Sequence, residues 1–408
     1  MLNQLWSGLI LIAMAMGAVQ GAFSEVNVIN GMVASVFDSA KLAIEIAIGL
    51  MGVLILWLGL FAIAEAAGVI TIVAKLTMPV LRRFMPDVPK DHPAFGSVSI
   101  NIAMGMLGMD NGALPSALKA MQQLETLNTQ PGKATKAQQV FLVYMTTSVT
   151  LFPLSIINYR MQAGAINPAD VLLPLILTGY AGLMAGLLYI ATALKISLLD
   201  RQIAGWILVL VSVLSGFTWL AATLPAQKFS GHATWVGNLA LLAAMAWFIV
   251  AGLKKNIPVF ETFIRGATEG FALAVALMPY LVGMLVAIGL LKSSGTFALL
   301  QSALVWLFQH LGIDTLWAQV VPHGMMKLFS GGGARSMMIE SFKTNGVDSL
   351  AGHISSILQG AFDTTFYVLA VCAAAAKLNQ LGHAIAAALV ANVTSFIAAV
   401  LLTKLFFQ

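Results

Sequence analysis

Apolar runs long enough to cross a lipid bilayer recur along the chain, and short polar segments separate them. A membrane-spanning helix needs about 20 mostly apolar residues. The pattern therefore predicts an all-α polytopic membrane protein with about nine transmembrane helices. The nine runs are Leu5–Phe23, Leu42–Ala64, Val140–Ile157, Val171–Leu194, Ala204–Ala222, Val236–Leu253, Phe271–Leu291, Ile354–Ala376 and Ala384–Phe407.

The composition supports a membrane location. Of the 408 residues, 59% are hydrophobic and only 9% are charged, whereas about a quarter of a soluble domain is charged. The net charge is +5, but no basic cluster exceeds two adjacent residues. We therefore expect contact with anionic membrane lipids and no nucleic-acid partner. The single cysteine, Cys372, excludes an internal disulfide.

The basic residues of the predicted loops indicate the orientation of the chain. With the N-terminus in the cytoplasm, twelve Lys and Arg residues fall inside and six outside, as the positive-inside rule requires. This bias predicts a multi-pass protein of the bacterial inner membrane. Leu5–Phe23 is expected to be a retained helix rather than a cleaved signal peptide, because Met1–Trp6 carries no Lys or Arg.

Two stretches of the chain resemble each other and indicate an internal repeat. Aligning Lys41 with Arg265 also superposes Gly59 on Gly283. Five of the predicted crossings lie between Lys41 and Arg265, and an odd number inverts the second copy relative to the first. Inverted repeats recur among alternating-access carriers, whose substrate site lies where broken helices of the two halves meet.

Each repeat contains a short apolar segment that ends in a polar, helix-breaking turn. Ala94–Met109 is too short to span the bilayer and runs into Asp110–Gly112, and Leu316–Phe329 runs into Ser330–Gly333. Such segments at corresponding places in two repeats indicate re-entrant hairpins and a substrate site. The alternative is an ordinary loop outside the membrane. The amphipathic stretches that precede the two hairpins are Ile72–Phe84 and Phe297–His310.

Each hairpin is followed by a predicted span that carries a polar patch. The first patch is Thr146–Pro153, whose proline removes a helix hydrogen bond, and the second is Gln359–Tyr367. The hydroxyl groups can bind a solute, or they can only bond back to their own helix and to neighbouring helices. Asp363 stands out because an ionisable group inside the membrane is costly and points to function. The alternative is a structural ion pair with Arg335 or Lys327.

The hairpin tips and the polar patches define a predicted central site. Backbone amides and Asn, Ser and Thr groups would hold a solute, and Asp363 or Asp110 would bind a coupling Na⁺ or H⁺. No other cofactor and no metal site is expected, since His323 and His353 lack a companion pattern of His, Cys and carboxylates. The predicted substrate-binding residues are Asn101, Asp110, Asn111, Gly112, Pro115, Thr146, Thr147, Thr150, Ser330, Gly331, Gly332, Gly333, Arg335, Gln359, Asp363, Thr364 and Thr365.

Several motifs resemble known membrane proteins. Residues 1–195 are similar to spore maturation protein A, notably at His92–Ala94 and Asn167–Asp170, and residues 257–408 to spore maturation protein B, notably at Pro279–Ala287 and Gln359–Leu369. Residues 196–256 would be connecting membrane helices between the two. The resemblance implies that both halves carry the nucleoside-recognition Gate domain, a transport-type architecture, and a role in spore maturation.

These features predict a secondary transporter that moves a small polar or amphipathic solute, nucleoside-like compounds being the first class to test. The alternative is a non-transporting membrane scaffold in envelope or spore maturation, and a metal-ion permease would require dependence on Met and carboxylate groups. An enzyme is not expected, because no Walker loop, nucleotide fingerprint, nucleophile elbow or zinc spacing is present. The sequence leaves open whether the chain forms a homo-oligomer.

Overall fold

The computed structural model describes residues 2–23, 27–108, 110–147, 149–196, 226–312 and 314–408, together with residues 205, 208, 212 and 216. It is 81% helical, and the described residues contain no strand, so the all-α prediction is confirmed. The helices are α1 (Leu2–Phe23), α2 (Asn27–Ala66), α3 (Val69–Phe84), α4 (Pro93–Met106), α5 (Asp110–Glu125), α6 (Lys136–Thr146), α7 (Leu154–Gln162), α8 (Leu172–Ala193), α9 (Ala226–Lys254), α10 (Val259–Ser293), α11 (Thr296–His310), α12 (Leu316–Phe329), α13 (Gly331–Asn345), α14 (Leu350–Ala361), α15 (Thr365–Ala375) and α16 (Ala384–Phe407).

Several of these helices are apolar and long enough to cross a membrane. Within the described ranges, three meet that length and composition: Val28–Ala66, Leu172–Ala193 and Ala384–Phe407. The pair Leu281–Ser293 and Thr296–His310 would be a fourth if it forms one span bent by 69°. The protein is therefore a helical membrane protein. The total of nine crossings stays a prediction, and one of its runs, Ala204–Ala222, lies almost entirely outside the described residues.

Two of the eight predicted spans that the structure describes are not continuous helices. The run Val140–Ile157 is divided between α6 and α7, and Ile354–Ala376 is divided between α14 and α15. In the first, Thr147 adopts an extended backbone and Pro153 precedes the second half, where proline has no amide hydrogen to donate. Both spans therefore break at the polar patches that the sequence marks.

The long helices of the two repeats, α2 and α10, pack in opposite directions along glycine contacts. A Cβ atom at Gly266 would lie 2.3 Å from the carbonyl oxygen of Leu58, and one at Gly270 would lie 2.6 Å from that of Leu54. Residue numbers rise along one helix as they fall along the other, so the helices are antiparallel. Small residues let helix backbones approach this closely in membranes.

The last helices of the two repeats, α8 and α16, pack in the same manner. A Cβ atom at Gly182 would lie 2.8 Å from the carbonyl oxygen of Ala391, and one at Gly186 would lie 3.4 Å from that of Ala387. This pair is also antiparallel. Antiparallel packing of both pairs is what an inverted repeat would produce, and the repeat itself stays a prediction.

Two consecutive helices pack together at each predicted hairpin position, α4 with α5 and α12 with α13. Their re-entrant character stays a prediction. Asn101 fastens the first, since its amide nitrogen donates to the carbonyl oxygen of Ala113 at 2.6 Å and to Ser116 Oγ at 3.1 Å. A separate helix precedes each hairpin, and α3, with Lys75, Arg82 and Arg83, is amphipathic as predicted, whereas α11 is largely apolar. Each begins after a glycine with positive φ, Gly68 (80°) before α3 and Gly295 (73°) before α11, a conformation that glycine adopts without steric cost.

Candidate functional site

The breaks of the two divided spans lie against each other at the centre of the fold. Thr147 and Phe362 form an isolated antiparallel backbone bridge. The amide of Asp363 donates to the carbonyl oxygen of Thr146 at 3.1 Å. Extended backbone at both breaks makes this contact possible, because helical residues would have used these groups internally. The two repeats are therefore joined by backbone hydrogen bonds at the place where both helices stop.

The tip of the first hairpin rests on the first break. The amide of Leu151 donates to the carbonyl oxygen of Met106, the last residue of α4, at 2.7 Å. Gly108, at the tip, has φ +79°, and a Cβ atom there would lie 2.4 Å from the carbonyl oxygen of Phe152. Only glycine fits this position without strain.

The tip of the second hairpin lies close to the second break, at Thr364. Ser330 caps α13, its Oγ accepting a hydrogen bond from the Gly333 amide at 3.0 Å. A Cβ atom at Gly331 would lie 2.8 Å from Thr364 Oγ1, whereas one at Gly332 would have Met284 Cγ as its nearest neighbour at 3.7 Å. Gly331 is thus the glycine of this tip that meets the break.

Asp363 is exposed in its break and its carboxylate accepts a hydrogen bond from the Thr364 amide at 2.6 Å. The salt bridges between described residues do not include it. Arg335 lies instead over the Tyr159 ring, with its guanidinium carbon 5.7 Å from the ring centroid. The alternative of an Asp363–Arg335 ion pair is therefore not what the structure contains.

Further buried polar groups lie next to the second break. Thr365 Oγ1 accepts a hydrogen bond from Asn392 Nδ2, and Asn392 Oδ1 is buried with no hydrogen-bond partner among the described residues. His323 Nε2 lies 3.3 Å from Gln359 Oε1, and both residues are buried. Asn392 lies in the middle of the largely apolar helix α16, where a single amide side chain is too weak a signal for the sequence to single it out.

The remaining residues of the predicted substrate site fall into three groups. The hydroxyls of Thr146 and Thr147 each donate at 2.9 Å to carbonyls of their own helix, those of Val143 and Tyr144, as the back-bonding interpretation expects. Thr150 is buried in the first break. Four predicted residues lie in the first two turns of α5, where the structure describes their backbone but not their side chains: Asp110, Asn111, Gly112 and Pro115.

A buried ionic network joins the two repeats at one end of the divided spans. Arg160, near the end of α7, is completely buried. Its Nη2 donates to Asp170 Oδ1 at 2.9 Å and to Asp348 Oδ1 at 3.1 Å, and its Nη1 donates to the carbonyl oxygen of Val347 at 3.1 Å. Asp170 Oδ2 lies 3.2 Å from His353 Nε2. Asp170 belongs to the same repeat as Arg160, whereas the other partners belong to the second.

The expectation that His353 lacks carboxylate companions is wrong, because Asp170 and Asp348 approach it from distant parts of the chain. Ligand atoms of these three side chains all lie within 4.8 Å of one another, a spacing that could hold a metal ion. Arg160 already supplies positive charge there through hydrogen bonds to both carboxylates. We therefore assign the cluster as an ion-pair network, which we call the Arg160 network.

A second connection joins the repeats at the other end of the divided spans. The amide of Ala134 donates to the carbonyl oxygen of Gln380 at 2.8 Å, and the amide of Gln380 donates to that of Gly132 at 3.0 Å. Gln139 reinforces it, since its Oε1 accepts from the amide of His383 at 2.9 Å. This connection, which we call the Gly132–Gln380 pairing, consists mainly of backbone hydrogen bonds.

Comparison with known proteins identifies two relatives. The chain is 36% identical over 177 residues to spore maturation protein A of Bacillus subtilis (strain 168), a match that covers 43% of the chain and 87% of the relative. It is 34% identical over 173 residues to spore maturation protein B of the same organism, covering 42% of the chain and 96% of the relative. No family model matches the chain, and no solved structure matches it.

Proposed function

Because this chain belongs to the family of spore maturation proteins A and B, and matches both in one polypeptide, we propose that it is a two-repeat membrane carrier. Residues 1–195 would form the A-like repeat and residues 257–408 the B-like repeat, with connecting membrane helices at 196–256. The carrier would lie in the bacterial inner membrane and move a small polar or amphipathic solute by alternating access. Nucleosides are the first solute class to test.

The observation that carries this proposal is the hydrogen bond from the Asp363 amide to the Thr146 carbonyl, which joins the breaks of two divided helices from two repeats. Carriers built from repeats place their substrate site at such breaks. Non-helical backbone at membrane depth is tolerated only where protein buries it or where it lines a water-filled cavity. Both hairpin tips also lie close to these breaks.

The predicted contacts acquire specific roles under this proposal. Backbone groups of the breaks and of Gly331–Gly333 would bind the solute together with Thr364 and Gln359. Asp363 would bind the coupling Na⁺ or H⁺, since its carboxylate is exposed in the break and forms no ion pair with any described residue. Ser330, Arg335, Asn101 and the first turns of α5 would hold the hairpins in place.

The test is binding followed by transport. Purified protein is screened by thermal shift against nucleosides, nucleobases, amino acids and lipid precursors, with and without Na⁺ and at two pH values. A ligand that binds only the folded state raises the melting temperature. Compounds that raise the melting temperature are then tested for uptake into proteoliposomes. We expect Asp363→Asn to abolish uptake while the protein still expresses and folds, and full uptake by this variant would remove the coupling role from Asp363.

A second candidate, a non-transporting scaffold for envelope or spore maturation, is favoured by the names of the relatives, which specify maturation and no solute. It predicts that substitutions at the breaks are tolerated and that substitutions on exposed helix faces are not. Complementation of a maturation defect by Asp363→Asn and Gly332→Leu, together with failure by exposed-face variants, would favour the scaffold over the carrier.

A further inference from the structure

The two connections between the repeats lie at opposite ends of the same pair of divided spans. The first repeat runs from the Gly132–Gln380 pairing through α6, the break and α7 to the Arg160 network. The second repeat runs the other way, from the Arg160 network through α14, its break and α15 to the Gly132–Gln380 pairing. The crossing of the breaks therefore lies between the two connections along both spans.

The Arg160 network is built so that it can separate. If the second repeat moves away, Arg160 loses Asp348, the Val347 carbonyl and the Ser356 hydroxyl. It keeps Asp170 at 2.9 Å and the Pro168 carbonyl at 3.3 Å, both within its own repeat. The buried guanidinium would then still be paired, and a buried charge without a partner is the large cost of breaking such a network. Asp348 is exposed, so water can solvate its carboxylate once it is released.

The Gly132–Gln380 pairing, unlike the Arg160 network, contains no ion pair between described residues. Its bonds are backbone hydrogen bonds between two loops, and Lys133 and Gln380, which form its bridge, are both exposed. Backbone groups at an exposed site can exchange their protein partners for water at small net cost. This connection can therefore also open while the rest of each repeat keeps its packing.

We propose that the Arg160 network and the Gly132–Gln380 pairing are the two gates of the molecule, which open alternately on opposite sides of the crossed breaks. This inference rests on the proposed carrier function. The ionic gate opens by separating Asp348 and His353 from Arg160 and Asp170. The second gate opens by separating Ala134 and Gly132 from Gln380, and Gln139 from the His383 amide.

The experiment measures access to the crossing without requiring a known solute. Cys372, the single cysteine, is replaced by Ala, and a probe is introduced as Thr147→Cys, a position buried in this structure. Full-length protein in vesicles of both orientations is labelled with a membrane-impermeant maleimide. We expect Asp348→Asn to raise the labelling rate from the side of the Arg160 network about tenfold, the factor for losing one charged hydrogen bond.

The matched control is Glu340→Gln. It makes the same carboxylate-to-amide change in the second repeat, where Glu340 pairs with Lys292 of that repeat, and we expect no change in labelling. Should Thr147→Cys fail to fold, Thr150→Cys replaces it as the probe. Unchanged labelling in a folded Asp348→Asn protein, or an equal rise in Glu340→Gln, overturns the ionic gate.

A cross-link tests the second gate. Lys133→Cys with Gln380→Cys, in the Cys372→Ala background, joins two bridge partners by a disulfide, which should stop labelling from that side and leave labelling from the Arg160 side intact. Loss of labelling from both sides would overturn alternate opening. If labelling changes as expected but no solute is taken up into proteoliposomes, the proposed carrier function is contradicted and the two opening connections are supported. If a solute moves and the labelling does not respond, only the gates fail.

Discussion

Asp348 of the second repeat accepts a hydrogen bond at 3.1 Å from Arg160 of the first, and the arginine side chain is completely buried. A buried guanidinium left without any carboxylate partner is costly, so Arg160 depends on its ion pairs with Asp170 and Asp348. The contact therefore contributes both to the stability of the fold and to the association of the two repeats.

Replacing the arginine should be among the most damaging single changes in the described part of the chain. Arg160→Leu leaves the Asp170 carboxylate and the Val347 carbonyl without their donor, and we expect a loss of about 3–5 kcal/mol of unfolding free energy. The measurement is chemical unfolding in detergent. Lys41→Leu is the control, since Lys41 pairs with Glu45 at 3.9 Å with both side chains largely exposed, and should cost less than ~1 kcal/mol. Similar losses in the two variants would contradict the assignment.

The tip of the first hairpin offers a pair of glycines with opposite expectations. Gly108→Ala forces a positive φ and places a Cβ atom 2.4 Å from the Phe152 carbonyl oxygen, so we expect a loss of about 1–3 kcal/mol. Gly105, inside α4, has Tyr144 Oη as its nearest neighbour at 3.8 Å, and Gly105→Ala should gain about 0.5–1 kcal/mol through helix propensity. The melting temperature of each variant relative to the parent protein shows whether the substitution lowers or raises stability. A Gly108→Ala protein as stable as the parent would mean that the tip does not rest on the break.

The second hairpin tip offers a comparable pair for ligand binding. Gly331→Ala brings a Cβ atom 2.8 Å from Thr364 Oγ1, whereas Gly332→Ala adds only ordinary contact. For any compound that binds the parent protein, we expect the dissociation constant to rise about tenfold in Gly331→Ala, roughly 1.4 kcal/mol, and to stay nearly unchanged in Gly332→Ala. Isothermal titration measures both. The reverse order would place the ligand away from Thr364.

The sequence predicts the elements around the crossing because their signals are local. Proline, glycine and clustered polar side chains inside an apolar run mark a local interruption of the helix. The breaks in Thr146–Pro153 and Gln359–Tyr367 and both hairpin turns can therefore be read without knowledge of the fold. The antiparallel packing of α2 and α10 is also consistent with the predicted inverted repeat. The number of crossings between two spans fixes the relative direction of their helices.

The Arg160 network could not be predicted in this way. Arg160 and Asp170 look like ordinary loop charges at the end of a span, and Asp348 and His353 begin a helix in the other repeat. Their proximity arises only when the two divided spans cross, which is a tertiary event with no local signal. The one hint in the sequence is that all four polar residues flank ends of the divided spans.

Lys404, in the last turn of α16, hydrogen-bonds the Asp314 carboxylate just before α12. That bond, with a second from the Leu316 amide, holds the pKa of Asp314 below its usual value of 3.8. A carboxyl whose folded-state pKa is lowered stabilises the fold above its unfolded-state pKa, and this contribution disappears as the pH falls through the folded-state pKa. Since both groups are partly exposed, the contribution is small.

We therefore expect Asp314→Asn to lower the melting temperature slightly at neutral pH, and the difference from the parent to vanish as the pH is lowered below 3.8. Melting curves across this range provide the measurement. Lys404→Met should reproduce the effect at neutral pH, and the double variant should add nothing further, because the two side chains act through one contact. A difference between parent and Asp314→Asn that persists unchanged into acid would show that the carboxylate charge is not what the contact uses.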